Sequence, residues 1–448
     1  MKEITIIGGG LSGCEAALHA ADRGIKVKLF EMRPHIQTGA HKSDRLAELV
    51  CSNSLGSELP TRASGLLMDE LEKLGSHLIK IAKSCRVPAG HALAIDREIF
   101  AERVTDEILK HPGIELIREE ITSIPTGKII IASGPLTSKT LSKAITALSD
   151  QENLFFYDAV APIIDFDSIN MDIAFWGSRY GRGKLAKGDY INCPFNKERY
   201  SHFIDQLVHA QRIELKLFEQ DIQNGVKTGK SSYFEGCLPI EVMAQRGEHT
   251  LAFGPLRPVG LTDPHNPDKP YAIVQLRQDD LSGETFNLVG FQTNLKFSEQ
   301  KRVFRLIPGL ENAEFIRYGQ MHRNTFLASP EILNSNFQLR KNRNIYFAGQ
   351  ITGVEGYLAN IASGLYAGIN IARDFEKIDS FIFPPTTMIG ALFNFVANSS
   401  MEFFQPMKPN FGLLPPLIEK VKPKKLRFEA YASRAQEEMD EFLTTHAL

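Results

Sequence analysis

Two cysteines, Cys51 and Cys237, lie in polar segments rather than in the apolar stripes that usually surround a structural thiol. Cys51 stands between Glu-Leu-Val and Ser-Asn-Ser-Leu, and Cys237 stands between Phe-Glu-Gly and Leu-Pro-Ile-Glu. A thiol of this kind can serve as a nucleophile when it ionises. An unpaired cysteine is more often a small buried apolar residue, so both interpretations remain open for these two positions. Cys14 and Cys85 are expected to be structural.

Residues 4–31 predict a dinucleotide-binding turn between a β-branched strand and a helix. Gly8, Gly10 and Gly13 fit the spacing G-x-G-x-x-G, in which the first glycine allows a tight turn. The second lets a pyrophosphate approach the backbone, and the third lets the helix pack closely on the strand. Glu31 ends the second strand, where an acid can bind a ribose hydroxyl. This acid argues against NADP and leaves NAD and FAD open.

A second glycine cluster, at residues 345–357, again combines a strand, glycine turns and a following helix of small residues. FAD-binding folds pair an N-terminal dinucleotide turn with such a C-terminal segment, whereas simple NAD dehydrogenases lack it. FAD is therefore the predicted cofactor. The predicted cofactor-binding residues of the two clusters are Gly8, Gly9, Gly10, Leu11, Ser12, Gly13, Glu31, Gly349, Gln350 and Gly353.

The 448 residues are too many for one compact core, so the chain is expected to contain two domains or a domain with a large insertion. Residues 156–320 mix short strand-like runs with Pro- and Gly-containing turns, which indicates an inserted α+β domain. The predicted class is α/β, with a Rossmann-like FAD-binding domain of the glutathione-reductase type. Its two parts are predicted at residues 1–155 and 321–448, the second with a helical tail.

Composition excludes several classes of protein. No apolar run approaches the roughly 18 residues of a membrane span, and no cleavable signal is expected because the chain enters a strand at once. The five cysteines are an odd number without metal-like spacing, which favours reduced thiols in a cytosolic protein and no metal site. A net charge of −2 gives no sign of a nucleic-acid partner beyond a local basic face. The oligomeric state is not determined, and a monomer is the expectation.

Several motifs together resemble TrmFO, the family of folate- and FAD-dependent tRNA (uracil-5-)-methyltransferases related to the larger GidA/MnmG flavoproteins. The resemblance spans nearly the whole chain and includes AHKSDRLAELVCSNSL around Cys51 and YFEGCLPIEVMAQRG around Cys237. Further matching segments are residues 8–34, 87–98, 253–261, 287–296 and 347–365. The resemblance implies methylation of carbon 5 of a uridine in the T-loop of tRNA.

The reaction that the resemblance implies needs a carbon nucleophile, and uracil itself is a poor one. A thiolate that adds to carbon 6 creates an enolate at carbon 5, which can attack a one-carbon electrophile. The family takes this carbon from methylenetetrahydrofolate and the electrons from reduced FAD, with NAD(P)H as a further co-substrate. Cys51 and Cys237 map onto the two family cysteines, one as nucleophile and the other for the carbon 5 proton or the resolution of the adduct. Which cysteine does which remains open.

The attacking thiol needs a cation or a helix N-terminus to lower its pKa, and Lys42 and Arg45 are the candidates near Cys51 in sequence. Tyr357 is implied as an aromatic shelf for the pterin ring of the folate, although a core tyrosine fits equally well. A basic RNA-binding surface is expected at two places. These are residues 420–427 and the group Arg179, Arg182, Lys184 and Lys187.

Three alternatives remain open at this level. The same chemistry could act on a ribosomal RNA uridine. The chain could instead be an NAD(P)H-dependent flavin oxidoreductase without an RNA substrate, which would leave the two cysteine motifs unexplained. The third alternative is a noncatalytic RNA-binding flavoprotein that acts as a chaperone.

Overall fold

The structure is a computed structural model that describes residues 2–38, 40–149, 154–159, 161–213, 238–319, 321–402 and 404–446. Its strands are β1 (Glu3–Ile7), β2 (Lys26–Phe30), β3 (Ser54–Ser57), β4 (Arg86–Val87), β5 (Ala92–Ile95), β6 (Ile114–Ile117), β7 (Lys128–Ile131), β8 (Leu154–Ala159), β9 (Ile163–Asp165), β10 (Phe175–Gly177), β11 (Tyr190–Phe195), β12 (Ala272–Gln278), β13 (Thr285–Leu288), β14 (Phe315–Arg317), β15 (Met321–Phe326) and β16 (Ile345–Phe347). Its α-helices are α1 (Leu11–Asp22), α2 (Ala63–Lys73), α3 (His77–Ser84), α4 (Arg97–Lys110), α5 (Lys139–Ser149), α6 (Lys197–His209), α7 (Ile240–Ala244), α8 (Thr250–Phe253), α9 (Phe297–Phe304), α10 (Ser329–Ile332), α11 (Tyr357–Glu376), α12 (Met388–Asn398) and α13 (Lys424–Thr445).

A five-stranded parallel sheet with the order β16-β7-β1-β2-β6 forms the centre of the first domain. The interior strand β7 buries three consecutive isoleucines, as expected for a parallel strand that is covered on both faces. The helices α1 and α11 cross closely because Gly364 has no side chain, and a Cβ there would lie 2.2 Å from the Ser12 carbonyl oxygen. All five strands end at one edge, which is where such sheets bind ligands.

A six-stranded antiparallel sheet with the order β10-β11-β12-β13-β9-β14 lies in the second domain, with α6 and α9 in the same apolar core. Two further strands, β8 and β15, pair with each other between the two domains. The core of the first domain draws its residues from positions 4–145 and 327–439, and that of the second from positions 164–313. The predicted class, an α/β FAD-binding type of fold with an inserted α+β domain, is confirmed. The domain bounds at 155 and 320 stay a prediction.

One local expectation from the sequence is wrong. The apolar patch Leu46–Val50 suggests a short helix, but the structure has a turn there, with Ala47 at a φ of 51°. Leu46, Ala47 and Leu49 are buried next to the first glycine turn, where the Ala47 N–H donates to the Gly9 carbonyl oxygen at 2.9 Å. The spacing of apolar residues in this patch therefore reflects burial by a tertiary contact and not a helix.

Helix ends agree with the sequence in one case and differ in another. Asp96 caps α4 by accepting hydrogen bonds from the N–H groups of Glu98 and Ile99, as its position before the helix predicts. Ser64 precedes an apolar pattern typical of a helix, which predicts that it caps α2, yet it lies inside the first turn and its hydroxyl donates to the Ser57 carbonyl oxygen. The sequence pattern also predicts a helix over residues 197–223. The helix α6 ends at His209, and residues 214–223 lie outside the described part of the chain.

Candidate active site

The first glycine turn leaves no room for side chains at two of its three predicted positions. Gly8 has a φ of +111°, and a Cβ there would lie 2.4 Å from the Ala132 carbonyl oxygen. A Cβ on Gly13 would lie 1.8 Å from the Gly8 carbonyl oxygen, so Gly13 brings α1 against the turn rather than lining the cleft. At Gly10, by contrast, a Cβ would meet no described atom within 4 Å.

The open space at Gly10 lies at the N-terminus of α1, where Gly10 is the cap residue and offers no side-chain acceptor. Backbone N–H groups at a helix N-terminus and the helix dipole together favour a bound anion such as a pyrophosphate. Gly8, Gly9, Gly10, Leu11 and Ser12 all line the same cavity. These residues fit the pyrophosphate of a dinucleotide.

Glu31 follows β2 directly and lines this cavity, as predicted for a residue that binds a ribose. Its Oε1 accepts hydrogen bonds from the N–H and Nε of Arg33, and its Oε2 accepts one from the Gly9 N–H, all at 3.0 Å. Burial alone would raise the pKa of Glu31, but these hydrogen bonds and the charge of Arg33 lower it overall. Glu31 is therefore an ionised acceptor, and Oε2 keeps a lone pair for a hydroxyl donor.

The second glycine cluster meets the first. Gly349 has a φ of +83°, and a Cβ there would lie 2.5 Å from Ser12 Oγ. Gln350 lines the cleft and donates through Nε2 to Glu355 Oε2 at 2.6 Å. Gly353 packs against Phe404, with a Cβ position 2.8 Å from its ring, and does not line the described cavities. The residues of the two clusters thus fit FAD, with Gly13 and Gly353 shaping the backbone.

The dinucleotide cavity, about 120 Å³, continues into a larger one of about 320 Å³ that reaches Cys51. The two cavities share Val50, Pro135, Leu136, Gln350, Tyr357 and Asn360. A cavity of this size is within the range of small-molecule sites. The structure therefore brings Cys51, Gln350 and Tyr357 to one cleft with the first glycine turn. Cys237 lies outside the residues that the structure describes.

Cys51 differs from the other described cysteines, because it is half-buried on the cleft wall while Cys14, Cys85 and Cys193 are buried. Its backbone N–H donates to the Tyr357 hydroxyl at 2.9 Å. Burial raises the pKa of Cys14 well above its ordinary value, and the nearby Glu31 carboxylate raises it further. Cys14 and Cys85 are thus placed as structural thiols, as predicted, and Cys51 is the described thiol with access to the cleft.

Three arginines around the Cys51 loop escaped the sequence analysis. Arg97 donates to the Leu49 carbonyl oxygen at 3.3 Å, and Arg317 donates to the Val50 carbonyl oxygen at 2.7 Å. Arg277 donates to Asn53 Oδ1 at 2.9 Å. A local sequence signal existed only for Arg97, which directly follows the segment ALAID within one of the family-like motifs.

The near-sequence candidates for a thiol-activating cation are placed differently. Arg45 points to α4, where it pairs with Glu102 and donates to the Glu98 carbonyl oxygen on the surface. Burial lowers the pKa of Lys42, and the charges of Arg317 and Arg97 lower it further because Lys42 lies near these arginines. The arginines, rather than Arg45, are therefore the main cations around the Cys51 loop.

Membrane-spanning helices and metal-binding clusters would point to other functions. No described helix is both long enough and apolar enough to cross a membrane. No group of three or more histidine, cysteine, aspartate or glutamate side chains in the described ranges is arranged to hold a metal ion.

Comparison with known proteins identifies the relatives of this chain. Residues 3–379 match the family described as GIDA, Glucose inhibited division protein A. A protein of Anoxybacillus flavithermus named Methylenetetrahydrofolate--tRNA-(uracil-5-)-methyltransferase TrmFO is 51% identical over 98% of this chain and 99% of its own length. A protein of the same name from Halalkalibacterium halodurans is 50% identical over 98% of each chain. The chain belongs to the TrmFO family. The family resemblance predicted from the motifs is confirmed.

Solved structures agree with TrmFO membership at the level of the fold. The structure of Aquifex aeolicus GidA in its form I crystal matches 98% of this chain and 76% of its own, with a TM-score of 0.69 and 17% identity. The form II crystal of the same protein gives a TM-score of 0.68 and covers 73% of that chain. The TrmFO fold described here is therefore a shorter version of the GidA fold.

Of the two groups predicted for a basic RNA surface, one lies on a loop of the inserted domain and the other, residues 420–427, runs into the start of α13. In the inserted domain Arg179 is half-buried, and its side chain donates to Gln275 Oε1 and to the Val259 carbonyl oxygen. Arg182, Lys184 and Lys187 are exposed, and Lys184 pairs with Glu58 at 3.3 Å, just after the cavity-lining strand β3. Tyr180 is 64% exposed at the loop tip, with Arg182 5.6 Å from its ring centre. The loop thus adjoins the rim of the cleft.

Proposed function

We propose that this TrmFO family member methylates carbon 5 of a uridine in the T-loop of tRNA. Methylenetetrahydrofolate supplies the carbon, and NAD(P)H reduces the FAD. The observation that carries this proposal is the half-buried Cys51 on the wall of the cavity that continues into the dinucleotide turn. The identity of about 50% to relatives named as tRNA methyltransferases supports the substrate.

The thiol explains how an unreactive uracil carbon becomes a nucleophile. The Cys51 or Cys237 sulfur forms a bond to carbon 6, and the electron pair of the 5,6 double bond moves to carbon 5 and the neighbouring carbonyl. Carbon 5 then bonds to the one-carbon unit of the folate, and the bond between this carbon and the folate nitrogen breaks as tetrahydrofolate leaves. The other cysteine takes the carbon 5 proton, and loss of the sulfur from carbon 6 restores the double bond. When bound, reduced FAD supplies the two electrons that make the added carbon a methyl group.

Tyr357 and the glycine turns hold the two planar partners of this reaction. Tyr357 lines both cavities and is fixed by its hydrogen bond to the Cys51 N–H, so its ring has a defined orientation on the cleft wall. A fixed aromatic face favours offset stacking of a pterin ring. The glycine turn at Gly10 and the carboxylate of Glu31 would hold the pyrophosphate and ribose of FAD.

The RNA must unstack its target base to reach the cleft, as substrates of other base-modifying enzymes do. The exposed loop with Tyr180, Arg182 and Lys187 combines cations for phosphates with an aromatic side chain for stacking. Lys408 adds a cation to the lining of the Cys51 cavity. We assign the reaction to the cytoplasm, where tRNA and folate are both available. We expect the active form of the protein to be a monomer.

The double substitution Arg182→Gln and Lys187→Gln should weaken tRNA binding and lower the salt dependence of the binding constant. Each phosphate contact contributes about one unit to the slope of log K against log salt, so the slope should fall by about two. Filter binding of unmodified tRNA at several salt concentrations measures this slope. The control is the double substitution Lys2→Gln and Lys110→Gln. Both lysines lie where strands of the parallel sheet begin, at the end of the sheet away from the cleft. Equal slopes in both pairs would contradict the assignment of this loop.

The proposed function is tested with purified protein, undermethylated tRNA, methylenetetrahydrofolate and NADH. Mass spectrometry should find one 5-methyluridine in the T-loop, and none when the folate is omitted. Ribosomal RNA transcripts form a second arm, and methylation only there would redirect the substrate assignment. Oxidation of NADH without methylation of either RNA would overturn the proposal in favour of a flavin oxidoreductase.

A further inference from the structure

The loop that carries Cys51 is held from both domains. From the first domain, Arg97 of α4 donates a hydrogen bond to the Leu49 carbonyl oxygen, and the Tyr357 hydroxyl of α11 accepts one from the Cys51 N–H. From the inserted domain, Arg317 at the end of β14 binds the Val50 carbonyl oxygen. Every one of these contacts is made to the backbone next to the thiol. They fix the loop whatever the charge state of the sulfur.

Asn53, which follows the thiol in the chain, also holds the Cys51 loop in place. Its amide nitrogen donates to the carbonyl oxygens of Ile95 at 3.2 Å and Gln278 at 2.8 Å, one from each domain. Its amide oxygen accepts from Arg277 Nε at 2.9 Å and Asn287 Nδ2 at 3.1 Å. A fully buried amide with four partners has one geometry, so the loop has little freedom to move away from the arginines.

Among the residues that the structure describes, the cations around this loop outnumber the acids. The cations that face the loop or its cavity are Lys42, Arg97, Arg277, Arg317 and Lys408. The described acids are Asp279, which pairs with Arg97, Glu48, which pairs with Arg33, and Glu355, which binds Gln350. Tyr357 and, in the adjoining dinucleotide cavity, His41 are further titratable groups. Arg97 also keeps a buried Nε–H that has no acceptor among the described residues.

The arginines and the thiol interact electrostatically. Burial lowers the pKa of Arg277 and of Arg317, and the charge of Arg97 lowers both further, whereas a negative charge on Cys51 raises them. For Arg97, the charge and hydrogen bond of Asp279, followed by Tyr357 and Cys51, outweigh burial and raise the pKa. Such coupling is mutual, because a cation that gains from a nearby anion stabilises that anion equally.

We propose that Arg97, Arg277 and Arg317 are positioning residues that hold Cys51 as a thiolate on the wall of the cleft. The inference deepens the proposed function, since a thiolate can attack carbon 6 of uracil or accept the carbon 5 proton. Two of the three arginines come from the inserted domain. The charge state of Cys51 therefore depends on how that domain is seated against the first.

The test is the pH dependence of alkylation at Cys51 in the full-length, FAD-loaded protein, without RNA or folate. Iodoacetamide reacts with the thiolate, and mass spectrometry of the Cys51 peptide separates its rate from those of the other cysteines. The parent protein should show a midpoint clearly below the value of about 8.5 for a free cysteine. Arg317→Gln and Arg277→Gln should each raise the midpoint by about one unit, which lowers the thiolate fraction at neutral pH roughly tenfold.

Two further variants separate charge from structure. Arg317→Lys keeps the charge and should keep most of the lowered midpoint, whereas Arg199→Gln removes an exposed arginine of the inserted domain and should leave it unchanged. A parent midpoint at or above that of free cysteine overturns the inference without any substitution, even if an arginine variant fails to fold. Unshifted midpoints in both glutamine variants also overturn it. A protein that methylates no RNA but shows the lowered midpoint would refute only the proposed function.

Discussion

Replacement of Cys51 by alanine should lower the rate of RNA methylation by at least about 100-fold, the lower end of what removal of a proton-transfer group costs. The loss should be greater if Cys51 is the nucleophile, because no other described thiol reaches the cleft. FAD content should not change, since Cys51 does not line the dinucleotide cavity. The measurement is the yield of 5-methyluridine per bound flavin.

The structure also explains why this variant should fold. The hydrogen bond to Tyr357 is made by the backbone N–H of residue 51, which alanine retains. The matched control is Cys193→Ala, which removes a thiol buried in the core of the inserted domain. It should lose stability by about 1 kcal/mol and keep its activity. Full methylation activity in the Cys51→Ala variant would show that Cys51 takes no part in the reaction.

The local parts of the site were predictable because short sequence spacing determines them. The glycines at 8, 10 and 13 impose a turn whose geometry depends on backbone sterics within a few residues, and the strand before and the helix after it confirm the context. The acid at Glu31 follows from the same unit. The family motifs carried the rest of the prediction, including the role of Cys51, which stays a prediction.

The electrostatic setting of Cys51 was not predictable from spacing. Arg317 and Val50 are 267 positions apart in the chain, and Arg277 and Asn53 are 224 apart. Neither arginine lies in a pattern that points to a thiol, because each is an ordinary strand-end residue until the inserted domain packs against the first. Proximity in sequence favoured Arg45 instead, which the fold turns outward to Glu102.

Gly10 differs from Gly8 and Gly13, because a Cβ on Gly10 would meet no described atom within 4 Å. This difference leads to the second prediction with a large expected effect. Gly10→Val should bind FAD at least about 100-fold more weakly, near the upper end of the 1–3 kcal/mol that an inserted side chain costs. The backbone of Gly10, at φ −79° and ψ −171°, is extended and suits valine, and its Cβ direction is open in the protein. The clash would therefore fall on the bound pyrophosphate alone.

Visible flavin absorbance of the purified variant, with far-UV circular dichroism to verify the fold, measures this effect. Gly10→Ala, with a smaller side chain, should lose less FAD and recover it when excess FAD is added. Gly13→Ala should instead fail to fold, because its Cβ would lie 1.8 Å from the Gly8 carbonyl oxygen. A Gly10→Val protein that stays fully yellow would mean that the open space at the N-terminus of α1 is not where the pyrophosphate binds. Because the Cys51 cavity opens from that space, the position of the reactants relative to the thiol would then have to be reassigned.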